Sequence, residues 1–302
     1  MGKIMAVCTS SKKGTVKNNV GTCRIIEDHG LEGDAHAGSE RQVSLLSYEK
    51  VEEFKKKCEG KVTISPGAFG ENLLVSGYDL ARMKTGTGFV IGECVLRITQ
   101  IGKTCHSGCE ISKITGECIM PHEGVFAKVL KGGTVSAGDD FMRIMTAAVI
   151  TSSDRSYDGE REDKSGPLMA GILESAGYDV VERLLINDDE DRAYEELVRL
   201  ADETMPDVIF TTGGTGFSPR DRMPEATLRA ATRNAPGIAE AIRSYSMGIT
   251  PRAMLSRAAS VIRGRTLIIN LPGSPKAVRE CLDYILPVIE HGIRILHNEA
   301  DG

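Results

Sequence analysis

Three short stretches of this chain gather residue types suited to phosphate and metal chemistry. The stretch FTTGGTGFSPRD (210–221) runs from an apolar DVIF into a glycine-rich loop and ends at Asp221. Gly213, Gly214 and Gly216, with Thr215 among them, let backbone N–H groups approach a ligand without side-chain obstruction. Successive N–H groups of that kind form a concavity that binds anions. The loop has neither the lysine of a Walker A motif nor the spacing of GxGxxG. A tight turn that holds nothing is therefore the competing explanation. The second stretch, INDDED (186–191), has four acids among six residues. Acids favour a helix N-terminus through the helix dipole. Alternatively, Asp188 paired with Asp221 holds Mg²⁺, which takes one or two carboxylates and completes its shell with water and phosphate oxygens. The third, NLPGSP (270–275), can present the Gly273 N–H and the Ser274 hydroxyl at a helix start. An ordinary strand-to-helix turn explains it equally well.

These stretches need elements to position them, and the two halves of the chain are written differently. From about Met145 onward, apolar runs alternate with helical patterns. TAAVITSS, YDVVERLLI, DVIFTT and TLIINLPG read as strands. SGPLMAGILESAG reads as a helix with Ser165 as its cap, an early Pro167 and Gly177 as its stop. EDRAYEELVRLADETM is an amphipathic helix, and PEATLRAAT begins another. A long final helix, PKAVRECLDYILPVIEHGIRILHNE, is expected to break near Pro287. The alternation predicts an α/β domain over 145–302, with three layers and a mostly parallel sheet covered by helices on both faces. In such a sheet, ligands bind beyond the carboxyl ends of the strands, where all three chemical stretches fall.

The first half, 1–144, reads as strands and turns. KIMAVCTS and RQVSLLS are short strands, VIGECVLRITQIG is one longer strand, and GVFAKVLKGGTVSAGDDFMRIM is two strands about a glycine-rich turn. One helix stands out, YEKVEEFKKKCEG, with Tyr48, Val51, Phe54 and Cys58 on one face and Gly60 as its stop. Many short strands with one helix predict a mainly β, barrel-like domain.

Composition excludes several classes. The 302 residues are 41% hydrophobic and 26% charged, typical of a globular protein. A net charge of −5 gives no electrostatic reason for a nucleic-acid partner. MGKIMAVCTSSKKG lacks the apolar core of a secretory signal, and no run approaches the ~18 apolar residues of a membrane span. A cytoplasmic protein without a membrane partner is the expectation. Seven of the eight cysteines lie in the first 120 residues. Without a secretion signal they read as free thiols, either buried or as a reactive or metal-binding subset.

The second half resembles the molybdopterin adenylyltransferase family, whose fold is shared with the gephyrin G domain. The resemblance rests on SSDRSYDGEREDKSGP (152–167), LLINDDED (184–191), TTGGTGFSPRDRMPEAT (211–227), TPRAMLSRAASVIRG (250–264) and NLPGSPKAV (270–278). It implies an often trimeric homo-oligomer that binds molybdopterin and Mg-ATP, in which the molybdopterin phosphate attacks the α-phosphorus of ATP. The family's two functional aspartates fall on Asp188 and Asp221, which the resemblance assigns to Mg²⁺ and to orienting the phosphates. It places the pterin phosphate at Gly213, Gly214, Thr215, Gly216 and Ser274, and matches Asp154 and Asp163 to further polar positions of the cofactor site. The chain departs in having Asn187 where the family often has proline, and Met223 where a threonine is common. A non-catalytic carrier or scaffold on the same fold is the competing reading.

The first half resembles the MOSC domain, named for the C-terminal domain of molybdenum cofactor sulfurase. The resemblance rests on GLEGDAHAG (30–38), RQVSLLS (41–47), PGAFGENL (66–73), GECVLRITQIGKTCHSGC (92–109) and GVFAKVLKGGTVSAGD (124–139). It implies a reactive cysteine at Cys105, holding sulfur as a persulfide or touching molybdenum as a soft ligand. Lys103 and His106 would favour its thiolate. A structural thiol stays open, as does a metal site from Cys105, Cys109, Cys118 and His122. Asp34 and His36 either line the same pocket or bond the turn they sit in, and Arg41 either binds an anionic cofactor or is exposed surface. Both resemblances imply one pathway, molybdenum cofactor assembly, with other assembly proteins as partners.

Overall fold

The structure, a computed structural model, describes residues 2–58, 63–104 and 117–298. The chain divides into two compact units, Met1–Ile144 and Met145–Gly302.

The first unit is built from short strands: β1 (Gly2–Thr9), β2 (Asn18–Asn19), β3 (Thr22–Ile26), β4 (Gly30–Leu31), β5 (Val43–Ser47), β6 (Leu73–Ser76), β7 (Gly88–Ile91), β8 (Cys94–Ile101), β9 (Val125–Lys131), β10 (Gly133–Ser136) and β11 (Asp140–Arg143). The order β11-β7-β8-β9-β5-β6-β1 closes on itself because β1 also pairs with β11, so seven strands form a barrel. Closure removes the unpaired strand edges. A three-stranded sheet, β10-β3-β4, completes the strands. The barrel interior is filled by Ile4, Val43, Leu45, Val75, Phe89, Leu96, Val125 and Phe141, among others. A second cluster, including Ala6, Leu46 and Leu74, packs under helix α1 (Tyr48–Lys57) through its buried Val51 and Phe54. Alternate residues of one strand thus serve opposite faces, as the pleat requires. A short helix, α2 (Met120–Glu123), precedes β9.

Two expectations fail here. VIGECVLRITQIG is two strands, β7 and β8, because Gly92 takes φ +55° and turns the chain into a hairpin. The final segment is three strands, since the chain also turns between β10 and β11, where Gly138 takes φ +97°. The expected stop of α1 at Gly60 lies outside the described residues.

The second unit is a six-stranded sheet of β12 (Thr146–Ser152), β13 (Asp179–Ile186), β14 (Val208–Thr212), β15 (Arg233–Asn234), β16 (Ser260–Arg263) and β17 (Thr266–Leu271), ordered β13-β12-β14-β17-β16-β15. The first four are parallel neighbours, while β16 and β15 are antiparallel. Helices α3 (Asp154–Tyr157), α4 (Ser165–Ser175), α5 (Glu190–Arg199), α6 (Met223–Ala230), α7 (Pro236–Met247) and α8 (Pro275–Leu296) connect or follow the strands. Ala147 and Val149 face a core with Leu173 of α4, Ile242 of α7 and Leu282 and Ile289 of α8. Ala148 and Ile150 face the opposite core, with Leu197 of α5 and Ala226 of α6. Three layers result, α/β/α, from a sheet whose apolar runs bury both faces. Helix α8 continues through Pro287 without a break, because its apolar stripe from Val278 to Ile293 stays buried on one side. No helix among the described residues is long and apolar enough to cross a membrane.

Candidate functional site

Strands β12, β14 and β17 end side by side, with Thr151 opposite Thr212 and Thr212 opposite Leu271. The glycine loop leaves the middle one, and its backbone touches both neighbours. A Cβ on Gly213 would meet the Ser152 carbonyl oxygen at 2.1 Å, and Gly213 takes φ +92°. A Cβ on Gly273 would come within 3.4 Å of Gly213 Cα, and one on Gly214 within 3.3 Å of Ser152 Oγ. At Gly213 only glycine lets these strand ends close on one another. Buried polar side chains hold the approach. Thr212 Oγ1 donates to the Pro272 carbonyl at 2.7 Å, and Asn270 Nδ2 donates to Thr211 Oγ1 at 2.9 Å and Thr227 Oγ1 at 2.8 Å.

The acids flank this loop. Asp188 Oδ1 accepts from Ser152 Oγ at 2.6 Å, and Oδ2 accepts from the Asp154 N–H at 3.0 Å. Asp188 reaches the start of the loop through Ser152, the residue against which Gly213 and Gly214 pack. Asp221 reaches the end of the loop: its Oδ2 lies 2.9 Å from a Cβ built on Gly216 and accepts from the Ser218 N–H at 2.9 Å. The helix-start explanation of INDDED holds for Asp189, and Asp188 is oriented differently. Asp189 caps α5 by accepting from the Arg192 N–H at 2.8 Å, Asp191 pairs with Arg229 at the surface, and Asp188 turns toward the strand ends.

Two arginines complete the frame. Arg257 donates through Nε to the Gly216 carbonyl at 2.7 Å, through Nη2 to the Asp221 carbonyl and through Nη1 to Glu225, while its N–H donates to the Thr215 carbonyl at 3.0 Å. Burial pushes the Glu225 carboxyl up, but the Arg257 guanidinium, its own backbone N–H and Arg222 together hold the group below its ordinary value. Arg220 grips Asp154 with both arms, Nε to Oδ2 at 2.9 Å and Nη2 to Oδ1 at 2.8 Å, and holds that carboxyl below its ordinary value. Ser152, Arg220 and Arg257 were not singled out by spacing. Arg220 adjoins an assigned acid, and Arg257 lies in a stretch that carries the family resemblance.

Two further expected ligands, Ser274 and Asp163, stand at helix starts. Ser274 is exposed and caps its own helix, its Oγ accepting from the Ala277 N–H at 3.3 Å. The start of α8 therefore opens beside Gly273 and the glycine loop. Asp163 accepts at 3.0 Å from both the Ser165 and Gly166 N–H groups. From the residue before the Lys164 N-cap it satisfies the first N–H groups of α4, the role expected of Ser165, whose hydroxyl instead donates to the Gly273 carbonyl at 2.8 Å.

The donor set fits Mg²⁺. Each Asp188 oxygen takes one hydrogen bond from the protein and keeps a second lone pair. Among the described residues no three His, Cys, Asp or Glu side chains gather into a metal site. An ion that binds through two carboxylates and fills its shell with water and phosphate oxygens needs no third.

In the first unit, Cys105 and Cys109 lie outside the described residues. Cys118 is half-buried and His122 is exposed. Asp34 is buried in an ion pair with Lys17 at 2.5 Å and accepts from the Ser10 and His36 N–H groups at 3.0 Å each. Burial pushes its carboxyl up, but Lys17 and the two N–H donors bring it below its ordinary value. Asp34 thus bonds its own turn at His36 and ties it to Ser10 and Lys17. His36 Nδ1 lies 3.4 Å from Asp34, and burial, then Lys17, hold its ring below its ordinary pKa. Arg41 is exposed, stacked over the Phe126 ring at 5.0 Å and bonded to Gln100 at 3.1 Å.

Comparison with known proteins separates the same two segments. A family model described as "Probable molybdopterin binding domain" matches residues 148–291, and the MOSC domain model matches residues 32–142. A molybdopterin adenylyltransferase of Helicobacter pylori is 36% identical over 157 residues, covering 51% of this chain and 89% of that protein. The molybdopterin adenylyltransferase of Escherichia coli K12 is 38% identical over 158 residues, covering 50% of this chain and 81% of that protein. A crystal structure of the molybdopterin biosynthesis enzyme MoaB from Thermus thermophilus is 40% identical, with a TM-score of 0.49, and the match covers 51% of this chain and 96% of that one.

Proposed function

Because this chain belongs to the molybdopterin adenylyltransferase family through its second half, we propose that the 145–302 domain adenylylates molybdopterin with ATP. A terminal phosphate oxygen of molybdopterin bonds to the α-phosphorus, the bond to the β-phosphate bridging oxygen breaks, and pyrophosphate leaves. Such transfer depends on positioning and on neutralising charge rather than on a protein nucleophile. The backbone N–H groups of Gly213–Gly216, with the start of α8 at Gly273 and Ser274, hold a phosphate. Asp188 and Asp221 hold Mg²⁺, which when bound neutralises phosphoryl oxygens and the departing pyrophosphate. Arg257 fixes the loop from behind through the Thr215 and Gly216 carbonyls. The observation that carries this reading is the packing of Gly213 against both Ser152 and Gly273, which brings the two acids and the helix start around one loop. A trimer in the cytoplasm belongs to the same reading.

The first domain, with its MOSC match, is proposed to handle sulfur or the maturing molybdenum cofactor through Cys105. Fusing two steps of one pathway raises the effective concentration of one step's product at the next site. Other cofactor-assembly proteins are its proposed partners.

The test is pyrophosphate release from Mg-ATP with added molybdopterin. Wild type should release it only when molybdopterin is present, and Asp221→Ala and Asp188→Ala should each slow release by roughly 10²–10³-fold. Folded wild-type protein that binds molybdopterin but releases no pyrophosphate would leave a carrier instead of an enzyme.

A further inference from the structure

Asp188 and Asp221 leave different strands that are not neighbours. Asp188 follows β13 at the sheet edge, Asp221 belongs to the loop after β14, and β12 lies between those strands. No ladder hydrogen bond can therefore set the distance between the two acids. Beside the Ser152 contact, a second side-chain junction crosses the gap. Asp154, after β12, exchanges hydrogen bonds with Asp188: the Asp154 N–H donates to Asp188 Oδ2 at 3.0 Å, and the Asp188 N–H donates to Asp154 Oδ1 at 2.9 Å. The Asp154 carboxylate is then held at both oxygens by Arg220, the residue immediately before Asp221. Three loops meet at one carboxylate.

The pair is partly exposed, 60% at Arg220 and 34% at Asp154. Exposed pairs add little to stability, about 0–1 kcal/mol. Its effect is on position. Asp154 Oδ1 takes two protein donors and Oδ2 one, and the Arg220 guanidinium neutralises the carboxylate, so Asp154 is a weaker metal ligand than Asp188, whose oxygens take one donor each and no cation. We propose that Asp154 and Arg220 are positioning residues, a bridge that sets Asp188 and Asp221 at the separation one divalent cation requires, and that neither contacts the nucleotide. The proposal rests on the adenylyltransferase reading above.

The experiment measures Mn²⁺ binding to the full chain by loss of the free-ion EPR signal. The ATP analogue with a methylene bridge between the α- and β-phosphorus is present, so no turnover occurs. Wild type, Asp221→Ala, Asp154→Asn, Arg220→Ala and the Asp154→Asn/Arg220→Ala double variant are compared, with thermal unfolding as the check on folding. Asp154→Asn and Arg220→Ala should each weaken Mn²⁺ binding about 10-fold, as loss of an outer-shell partner does. The double variant should be no weaker than the worse single, because both changes cut the same bridge. Melting temperatures should stay close to wild type. If Arg220→Ala weakens binding while Asp154→Asn leaves it unchanged or tighter, Arg220 contacts the nucleotide directly and the bridge is wrong. Additive losses, or no loss in either single variant, overturn it as well. If Asp221→Ala binds Mn²⁺ as wild type does, the metal assignment of the enzyme reading fails first, and the bridge fails with it.

Discussion

At the scale of single residues, the site depends on side chains that are absent as much as on those present. Gly213 combines φ +92° with a missing Cβ that would stand 2.1 Å from the Ser152 carbonyl. Gly213→Ala must therefore strain the backbone and push β12 from β14 at the loop. A cost of about 1–3 kcal/mol from the backbone alone, and loss of molybdopterin-dependent pyrophosphate release, are expected. Urea unfolding checks the first and the release assay the second; a variant with wild-type values in both would remove the glycine argument. In the first unit the corresponding residue is Asp34, paired with Lys17 where neither is exposed. Asp34→Ala leaves a buried ammonium unpaired and should cost ~3–5 kcal/mol. The pH dependence has a definite sign. The Asp34 carboxyl is held below its ordinary value, so the pair's contribution is complete above that ordinary value and is lost as pH falls through the lowered one. Urea titrations from pH 7 downward should show wild type losing stability on the acid side faster than Asp34→Asn. Parallel acid limbs would mean that the pair carries no pH-dependent stability.

At the scale of elements, apolar patterning was enough to read the layers but not the turns. Ala147 and Val149 against Ala148 and Ile150 is a continuous apolar run, and such a run marks a strand buried on both faces. The glycine loop and the acids that flank it could be picked out because backbone access and clustered carboxylates each leave a residue-type signature. Three features could not. The hairpin between β7 and β8 is set by one positive-φ glycine, which sequence alone cannot tell from a glycine within a strand. The first N–H groups of α4 are satisfied by Asp163 because its carboxylate reaches two of them, whereas Ser165 has a competing partner in the Gly273 carbonyl. Arg220 and Arg257 act on residues distant in sequence, so only the fold pairs them with their acceptors. Pro287 is the fourth case. Its missing N–H leaves one carbonyl of α8 without its helical donor, yet the buried stripe on either side keeps the helix continuous. Pro287→Ala restores that donor at an exposed position and should stabilise the protein by about 1–2 kcal/mol, within the ~3 kcal/mol helix penalty of proline and less the unfolded-state entropy it restores. A lower melting temperature in the variant would show that the proline supports the helix in a way its backbone chemistry does not.

At the scale of the whole molecule, each unit owns the means of its folding. The barrel's apolar interior and the cluster under α1 are drawn from residues before Ile144, and the two cores of the α/β layers from Met145 onward. A domain with its own core and its own paired strands is expected to fold alone. The proposed adenylyl-transfer residues, from Ser152 to Ser274, also all lie in the second unit. A fragment of residues 145–302 should therefore unfold in one cooperative transition and release pyrophosphate from Mg-ATP and molybdopterin at a rate within about two- to threefold of the full chain, since fusion changes effective concentrations between sites and not the chemistry at one. Circular dichroism during heating and the release assay measure the two quantities. If the fragment melts cooperatively but is inactive, residues of the first unit take part in adenylyl transfer, and the assignment of that step to one domain is wrong. If it neither folds nor turns over, the second unit depends on the first for more than proximity. Should both quantities match the full chain, the proposed effect of fusion is confined to transfer between steps, and an assay that couples adenylylation to the chemistry proposed for Cys105 is where to seek it.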